Sequence, residues 1–139
     1  MNNIIYEGFF IIDELHGNLE KNIQFKHITT EFRPKVTHEH LYGTEATFIV
    51  DGYANDNINE GLSVYLDKCD NVELKNIINN IYKSNIKIPH ITLSVSSTGK
   101  PVNTSKLDFF WLHDDDKYIV HTKFGGFNGK EPIFNKEEE

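Results

Sequence analysis

The sequence predicts an α+β fold in which antiparallel strands dominate and one main helix is present. Short segments rich in aromatic and β-branched residues, bounded by polar residues, recur along the chain and are typical of strands. A single segment, residues 72–83, has apolar residues at helical spacing. Two similar strings, His27-Ile28-Thr29 and His90-Ile91-Thr92, lie one in each half. We therefore expect two strand-rich lobes whose antiparallel sheets face a central cleft.

Length and composition indicate one folded domain in a reducing compartment. The 139 residues predict a single domain over residues 1–134, followed by a disordered acidic tail at 135–139. Cys69 is alone, so no internal disulfide can form, which favours the cytoplasm. We expect neither a secretory signal nor a membrane span, because no basic leader and no long apolar run are present.

The net charge of −7 restricts the class of partner. A protein that grips long DNA or RNA needs a basic face, because phosphate neutralisation supplies most of its affinity. The basic residues here are scattered and outnumbered by acidic ones. We expect a small nucleotide or an RNA 3′ end as ligand, and no long DNA.

In the first part of the chain, residues 6–13 and 23–32 have the aromatic and β-branched content of strands. Residues 14–22 are polar and contain a glycine, so a loop is predicted there. Pro34 cannot donate to a strand ladder, and residues 33–42 are predicted to form a second loop.

The middle of the chain contains two more predicted strands, at residues 45–51 and 60–66, joined by a polar turn. Asp70 is a suitable N-cap for the helix over residues 72–83. Residues 90–96 form the strand that carries the second string.

Near the C-terminus, residues 107–112 and 118–124 are predicted to pair as a hairpin. Three consecutive aspartates, residues 114–116, supply the solvated turn between the two predicted strands.

The alternation within both histidine-bearing strands predicts a polar wall opposite an apolar back. Side chains at i and i+2 of a strand point to the same face. One face would therefore carry the histidines, the threonines and further polar groups: His27, Thr29 and Glu31 in the first strand, and His90, Thr92, Ser94 and Ser96 in the second.

The paired His-x-Thr strings resemble the signature of the 2H phosphoesterases. Over residues 6–124 the chain is similar to the compact members related to the cyclic-phosphodiesterase domain of tRNA ligase. His90-Ile91-Thr92-Leu93 matches the family pattern of a histidine, an apolar residue and a threonine between apolar neighbours. The first string differs, because Lys26 and Thr30 replace apolar neighbours.

The resemblance implies a phosphodiesterase that needs no metal or other cofactor. Histidine titrates near neutrality, so one of His27 and His90 can act as base and the other as acid. The pattern does not distinguish the two roles. Thr29 and Thr92 would donate hydrogen bonds to the non-bridging phosphate oxygens, where charge develops in the transition state.

Substrate-binding residues are predicted from charge and ring chemistry. Cationic side chains could offset phosphate charge, and aromatic rings could stack on a base. The candidate cations are Lys26, Arg33, Lys35 and Lys100, and the candidate rings are Tyr6, Tyr42 and Phe124.

The substrate class stays open between a 2′,3′-cyclic phosphate at an RNA end and a small cyclic nucleotide or oligonucleotide. The family includes enzymes of RNA processing and viral enzymes that destroy immune nucleotides. The acidic composition favours a small substrate, and cleavage of a defence-signalling nucleotide by a phage protein is one hypothesis.

Two alternatives belong to other functional classes. His38-Glu39-His40, with Glu45 and Gly52, matches the later part of a cupin motif and predicts a metal site. A non-catalytic module that sequesters a nucleotide would use the same residues as the enzyme.

Overall fold

The computed structural model describes residues 3–84 and 89–135, and within them the fold is α+β, as predicted. The described part contains one α-helix, α1 (Val72–Ser84), and nine strands: β1 (Tyr6–Ile11), β2 (Lys21–Asn22), β3 (His27–Phe32), β4 (Glu45–Asn55), β5 (Asn59–Lys68), β6 (His90–Val95), β7 (Phe110–Trp111), β8 (Tyr118–Phe127) and β9 (Pro132–Ile133). Short 3₁₀ turns lie at Glu39–Leu41, Pro101–Lys106 and Asp114–Asp116.

The strands form one continuous antiparallel sheet whose order is symmetric about its centre. The order is β2-β6-β5-β4-β8-β1-β3, and two short strands are added to the sides, β7 to β4 and β9 to β8. Apart from β2 at one end, each half thus contains three long strands and one two-residue strand. The sets β4-β5-β6 and β8-β1-β3 correspond, so the two motif strands occupy equivalent places.

The strands that carry the two motifs contact each other although four strands separate them in the sheet order. β6 and β3 lie near opposite ends of the sheet, and yet their backbones pack together. Sheets twist and coil, and in this protein the curvature brings the two ends of the sheet together. The motifs therefore meet in space.

A single apolar cluster lies on one face of this sheet. Phe9, Phe48 and Phe124 have almost no exposed surface, and the Phe9 ring packs against the other two in tilted or edge-on contacts. The central isoleucines of the two motifs, Ile28 and Ile91, belong to the same cluster. Side chains alternate between the two faces of a strand. His27 and His90, which directly precede these isoleucines, therefore project from the opposite face.

Helix α1 matches the predicted segment to within one residue, but its cap is different. Leu74 and Ile78 are buried in the core, as the helical spacing predicts. The Leu74 amide donates to the Asn71 side-chain oxygen at 2.9 Å. Asn71 therefore caps the helix, and the prediction of Asp70 is wrong by one residue, since both residue types can cap.

The predicted hairpin near the C-terminus is wrong. β7 pairs with β4 at Gly52 and Tyr53, while β8 pairs with β4 from Glu45 to Val50. The two strands lie end to end along the same edge of β4 instead of pairing with each other. β4 is long enough to pair with both strands.

A bulge follows each motif threonine and changes which face the next residues occupy. In the β1–β3 pair, Thr29 lies opposite Gly8 and Glu31 opposite Glu7, so Thr30 is extra. An extra residue reverses the alternation beyond it. Glu31 therefore lies on the face of Ile28, and its predicted place beside His27 is wrong.

The same event occurs in the other half of the sheet. Thr92 lies opposite Gly61 and Ser94 opposite Glu60, so Leu93 is extra. Ser94 is fully buried and does not line the polar wall. The predicted face is thus wrong for Ser94 for the same reason.

Both glycines opposite the motif threonines are required by a close backbone approach. A Cβ on Gly8 would lie 2.3 Å from the Ile28 carbonyl oxygen, and one on Gly61 would lie 2.9 Å from the Ile91 carbonyl oxygen. Real Cβ atoms do not come so close, and these are backbone atoms that cannot rotate away.

Within residues 3–84 and 89–135, no helix has the length and apolar character needed to cross a membrane. Of the predicted tail, Asn135 is exposed. The rest of that prediction, residues 136–139, lies outside the described residues.

Replacing either glycine by alanine should destabilise the protein by about 1–3 kcal/mol, the usual cost of overpacking. Urea unfolding of Gly8→Ala and Gly61→Ala measures this. The matched control is Thr29→Ala, which changes an exposed side chain directly opposite Gly8 and should alter stability by less than about 0.5 kcal/mol. Wild-type stability in both glycine variants would contradict the close approach.

Candidate functional site

The hydrogen bonds of His27 define its tautomer. Its Nδ1 lies 2.8 Å from the carbonyl oxygen of Phe25 and 3.2 Å from the Tyr6 hydroxyl. A carbonyl oxygen can only accept, so the proton of the neutral ring is on Nδ1. The lone pair is then on Nε2, which leaves this nitrogen able to accept a proton.

Aromatic rings surround His27 and keep it neutral. The Tyr6 ring stacks on the imidazole with centroids 4.3 Å apart, and the Phe10 centroid is 5.6 Å away. Burial lowers the pKa of His27, the bond to the Phe25 carbonyl opposes this, and repulsion from a charged His90 lowers the pKa further. His27 is therefore a neutral imidazole at pH 7.

The strands that begin with His27 and His90 contact each other, and the charge of His90 lowers the pKa of His27. Electrostatic interactions weaken with distance and with solvent screening. The structure thus brings together the two histidines that the sequence singled out.

The surroundings of His90 differ from those of His27. Ser63 lies directly opposite His90 on β5, is fully buried, and donates to the Asp51 carboxylate at 2.7 Å. Directly paired residues on antiparallel strands share a face. A carboxylate is therefore bonded to the neighbour of His90, whereas aromatic rings stack around His27.

The two threonines are not equivalent. Thr29 is exposed on β3. Thr92 is half-buried, and its hydroxyl donates to the Thr104 hydroxyl at 2.8 Å. Thr104 is fully buried and also accepts from the Asn59 side-chain amide at 3.0 Å. Thr92 is thus held by a short polar network, and Thr29 faces solvent.

Two buried glutamates stabilise the site, and sequence reasoning missed both. Glu7 accepts the His38 amide and the His38 Nδ1, each at 2.7 Å, and the Tyr42 hydroxyl at 2.8 Å. His38 and Tyr42 lie in the loop between β3 and β4. Glu7, directly before Gly8, therefore anchors this loop beside the first motif.

Glu60 repeats this arrangement in the other half. It accepts the Asn18 amide at 2.6 Å, the Asn18 side-chain nitrogen at 2.8 Å, the Ser94 hydroxyl at 2.7 Å and the Tyr53 hydroxyl. Burial opposes ionisation of Glu60, but the bonds from Tyr53, Asn18 and Ser94 outweigh it and lower the pKa of the carboxyl. Each glutamate thus binds one residue's amide and side chain, plus a tyrosine.

A sequence signal for these glutamates exists. Glu7-Gly8 and Glu60-Gly61 are Glu-Gly pairs, each in a strand that comes earlier in the chain than a His-Ile-Thr strand and pairs with it. The separation between pair and string differs in the two halves, which hides the correspondence from a search for repeats.

Of the predicted substrate-binding residues near the first motif, Tyr6 contacts His27, Lys26 precedes His27 in the chain, and Arg33 follows the other end of β3. Tyr6 stacks on its ring. Lys26 donates from Nζ to the Ile23 carbonyl at 2.8 Å. The Arg33 guanidinium lies 5.2 Å from the centroid of the Phe32 ring, and Phe32 is the strand partner of Tyr6.

The remaining predicted residues are placed differently. Phe124 has no exposed surface, so its ring has no face on which a base could stack. The Tyr42 hydroxyl is bonded to Glu7. Lys35 and Lys100 are exposed, and the Lys100 carbonyl accepts from the Asn59 side chain at 2.7 Å.

The cupin-like ligand set does not converge. His38 is bonded to Glu7, and His40 points to Glu73, 3.1 Å away on helix α1. Among the described residues, the group of three potential ligands that comes together is Glu7, Glu31 and His38. That cluster does not include His40 or Glu45, so the structure does not bring the cupin-like ligands together.

No model of a known protein family matches this chain, and no curated protein matches it. The function must therefore be argued from the geometry of the site.

Replacing Glu60 by glutamine should destabilise the protein by about 1–3 kcal/mol at pH 7, because an amide NH₂ would face the donors of Asn18. The pKa of Glu60 is lowered in the folded state, so its contribution is present above the ordinary value of 4.5 and is lost as pH falls below it. The difference in the free energy of unfolding between wild type and Glu60→Gln should therefore be smaller at pH 4 than at pH 7. Urea unfolding at both pH values measures it.

Glu20→Gln is the control, since Glu20 is exposed in the same loop that Glu60 anchors. An equal stability of Glu60→Gln and wild type at pH 7 would show that the buried carboxylate does not hold this loop.

Proposed function

We propose that the protein is a metal-independent phosphodiesterase of the 2H type. Its substrate is a 2′,3′-cyclic phosphate or a small cyclic nucleotide or oligonucleotide. The observation that carries the proposal is the contact between the two motif strands. The charge of His90 also lowers the pKa of His27.

The tautomer and the pKa of His27 support its role as the general base. Its Nε2 takes a proton from the attacking water while the water oxygen forms a bond to phosphorus. The bond from phosphorus to the leaving oxygen breaks, and His90 gives that oxygen a proton. His27 ends protonated and His90 neutral, and exchange with solvent restores both.

The surroundings of the two rings support this division of roles. A base must be neutral before reaction, and aromatic burial keeps His27 so. An acid must start charged, and a nearby carboxylate favours the charged imidazolium. In this proposal Asp51, whose carboxylate accepts from the strand partner of His90, would favour the charged form of that ring.

The threonines would stabilise the negative charge that develops on the non-bridging oxygens. Thr29 is exposed and can donate without rearrangement. Thr92 must turn its hydroxyl hydrogen away from Thr104, which can donate in return because a hydroxyl both donates and accepts.

The symmetric order of the strands supports a two-lobed 2H arrangement, with one motif in each half of the sheet. The net charge of −7 supports a small substrate over a long nucleic acid. We place the enzyme in the cytoplasm, and cleavage of a defence-signalling nucleotide or processing of an RNA end are the two roles that fit such a substrate.

The test is hydrolysis of 2′,3′-cyclic nucleotides and a panel of cyclic oligonucleotides by purified protein in EDTA. His27→Ala and His90→Ala should each lower kcat by about 10²–10⁴-fold, the usual contribution of a positioned acid or base. His113→Ala, which removes an exposed histidine elsewhere, should leave kcat unchanged.

The acidic limb of the pH profile should lie below 6.5, because the pKa of the proposed base is lowered from that value. Activity that needs added metal and survives both histidine substitutions would overturn the proposal. Tight binding without turnover would identify a sequestering module instead.

A further inference from the structure

A cavity of about 310 Å³ lies beside His27 and is not used by the chemistry above. Its walls include three aromatic rings and two lysines, namely Phe10, Phe25, Phe134, Lys26 and Lys123. Sequence reasoning had singled out only Lys26 of these five. The other four come together from β1, β8 and the segments beside β3 and β9.

The cavity shares walls with the proposed active site. The Phe10 centroid lies 5.6 Å from that of His27 and 5.6 Å from that of Phe134. Phe25 lines the cavity, and its carbonyl oxygen holds the His27 Nδ1. A ligand in the cavity would therefore be separated from His27 by about the width of one aromatic ring.

The charge in the cavity favours an anionic ligand that has a ring. The Lys123 ammonium lies 5.4 Å from the Phe134 centroid. Burial lowers the pKa of Lys26, whose Nζ is bonded only to a carbonyl among the described contacts. In the described ranges neither lysine pairs with a carboxylate, although the protein carries a net charge of −7.

We propose that this cavity binds the second nucleotide of the substrate, so that the preferred substrate contains at least two nucleotide units. The phosphate that reacts lies at the histidines. The base of the second nucleotide contacts the phenylalanine rings, and the phosphate of that nucleotide contacts Lys123 and Lys26. This inference rests on the proposed function, because it extends the same site. A linear dinucleotide with a cyclic phosphate end and a cyclic dinucleotide share this chemistry.

The test compares kcat/KM for three substrates: a 2′,3′-cyclic mononucleotide, a dinucleotide that ends in a 2′,3′-cyclic phosphate, and a 3′,5′-cyclic dinucleotide. At least one two-unit substrate should be preferred by about tenfold or more, as stacking and a phosphate contact together supply. The substrate that shows the preference identifies the linear or the cyclic source.

Lys123→Met keeps the aliphatic stem against Phe134 and removes the charge, so folding should be retained. It should remove most of the preference for a two-unit substrate over the mononucleotide. Lys75→Met changes an exposed lysine on α1 and is the matched control, with no expected effect. Equal kcat/KM for one-unit and two-unit substrates, or a preference that Lys123→Met leaves intact, would overturn the inference.

If the proposed phosphodiesterase function is wrong, the outcome differs from the failure of the cavity inference alone. If the protein hydrolyses none of the three substrates, calorimetric binding of each dinucleotide to wild type and Lys123→Met decides about the cavity alone. Weaker binding by the variant supports the cavity as a nucleotide site, and equal or absent binding overturns it.

Discussion

The placement of both histidines depends on two buried carboxylates, each next to a glycine. Glu7-Gly8 and Glu60-Gly61 lie opposite the ends of the two His-Ile-Thr strings. The glycine lets the motif strand approach so closely that no side chain fits between the backbones. The glutamate occupies the core side of the same contact and binds an otherwise independent loop. The same arrangement in both halves orients both motifs.

Burial of these two carboxylates destabilises the folded state unless hydrogen bonds compensate for the lost hydration. Taking a carboxylate out of water is strongly unfavourable unless donors replace the lost hydration. Glu7 receives three such bonds, two of them from His38, and Glu60 receives four. In the described part of the chain, no buried polar side-chain atom is left without a partner. Three of the donating residues, His38, Tyr42 and Asn18, lie in loops, so loop position and motif position are coupled.

Much of the fold could be predicted from the sequence, and the failures have one main cause. The helix and the motif strand β6 follow from periodicity, which is a local property of the chain. The bulges after Thr29 and Thr92 are not local, because they arise from the pairing with Gly8 and Gly61 on other strands. The faces of Glu31 and Ser94 were wrong for that reason. Pairing of β7 and β8 with β4 likewise depends on a distant partner.

In the candidate site, too, some features follow from the local sequence and others depend on distant residues. Residue chemistry was sufficient to single out His27 and His90, and the strands that carry them contact each other. Burial decided the rest: Phe124 belongs to the core, while Phe10, Phe25 and Phe134 line a cavity that no motif indicated. The tautomer of His27 depends on the Phe25 carbonyl, a backbone group that has no sequence signature.

The central claim is that the two histidines form one coupled site, in which His27 is neutral with its proton on Nδ1. The most direct measurement is a titration of the imidazole ¹⁵N and ¹H signals by NMR, on wild type and His90→Ala. The account predicts the Nδ1–H tautomer for His27 and a pKa below 6.5 that rises in His90→Ala, because repulsion from His90 is removed. A His27 pKa near 6.5 that does not respond to His90→Ala would contradict it.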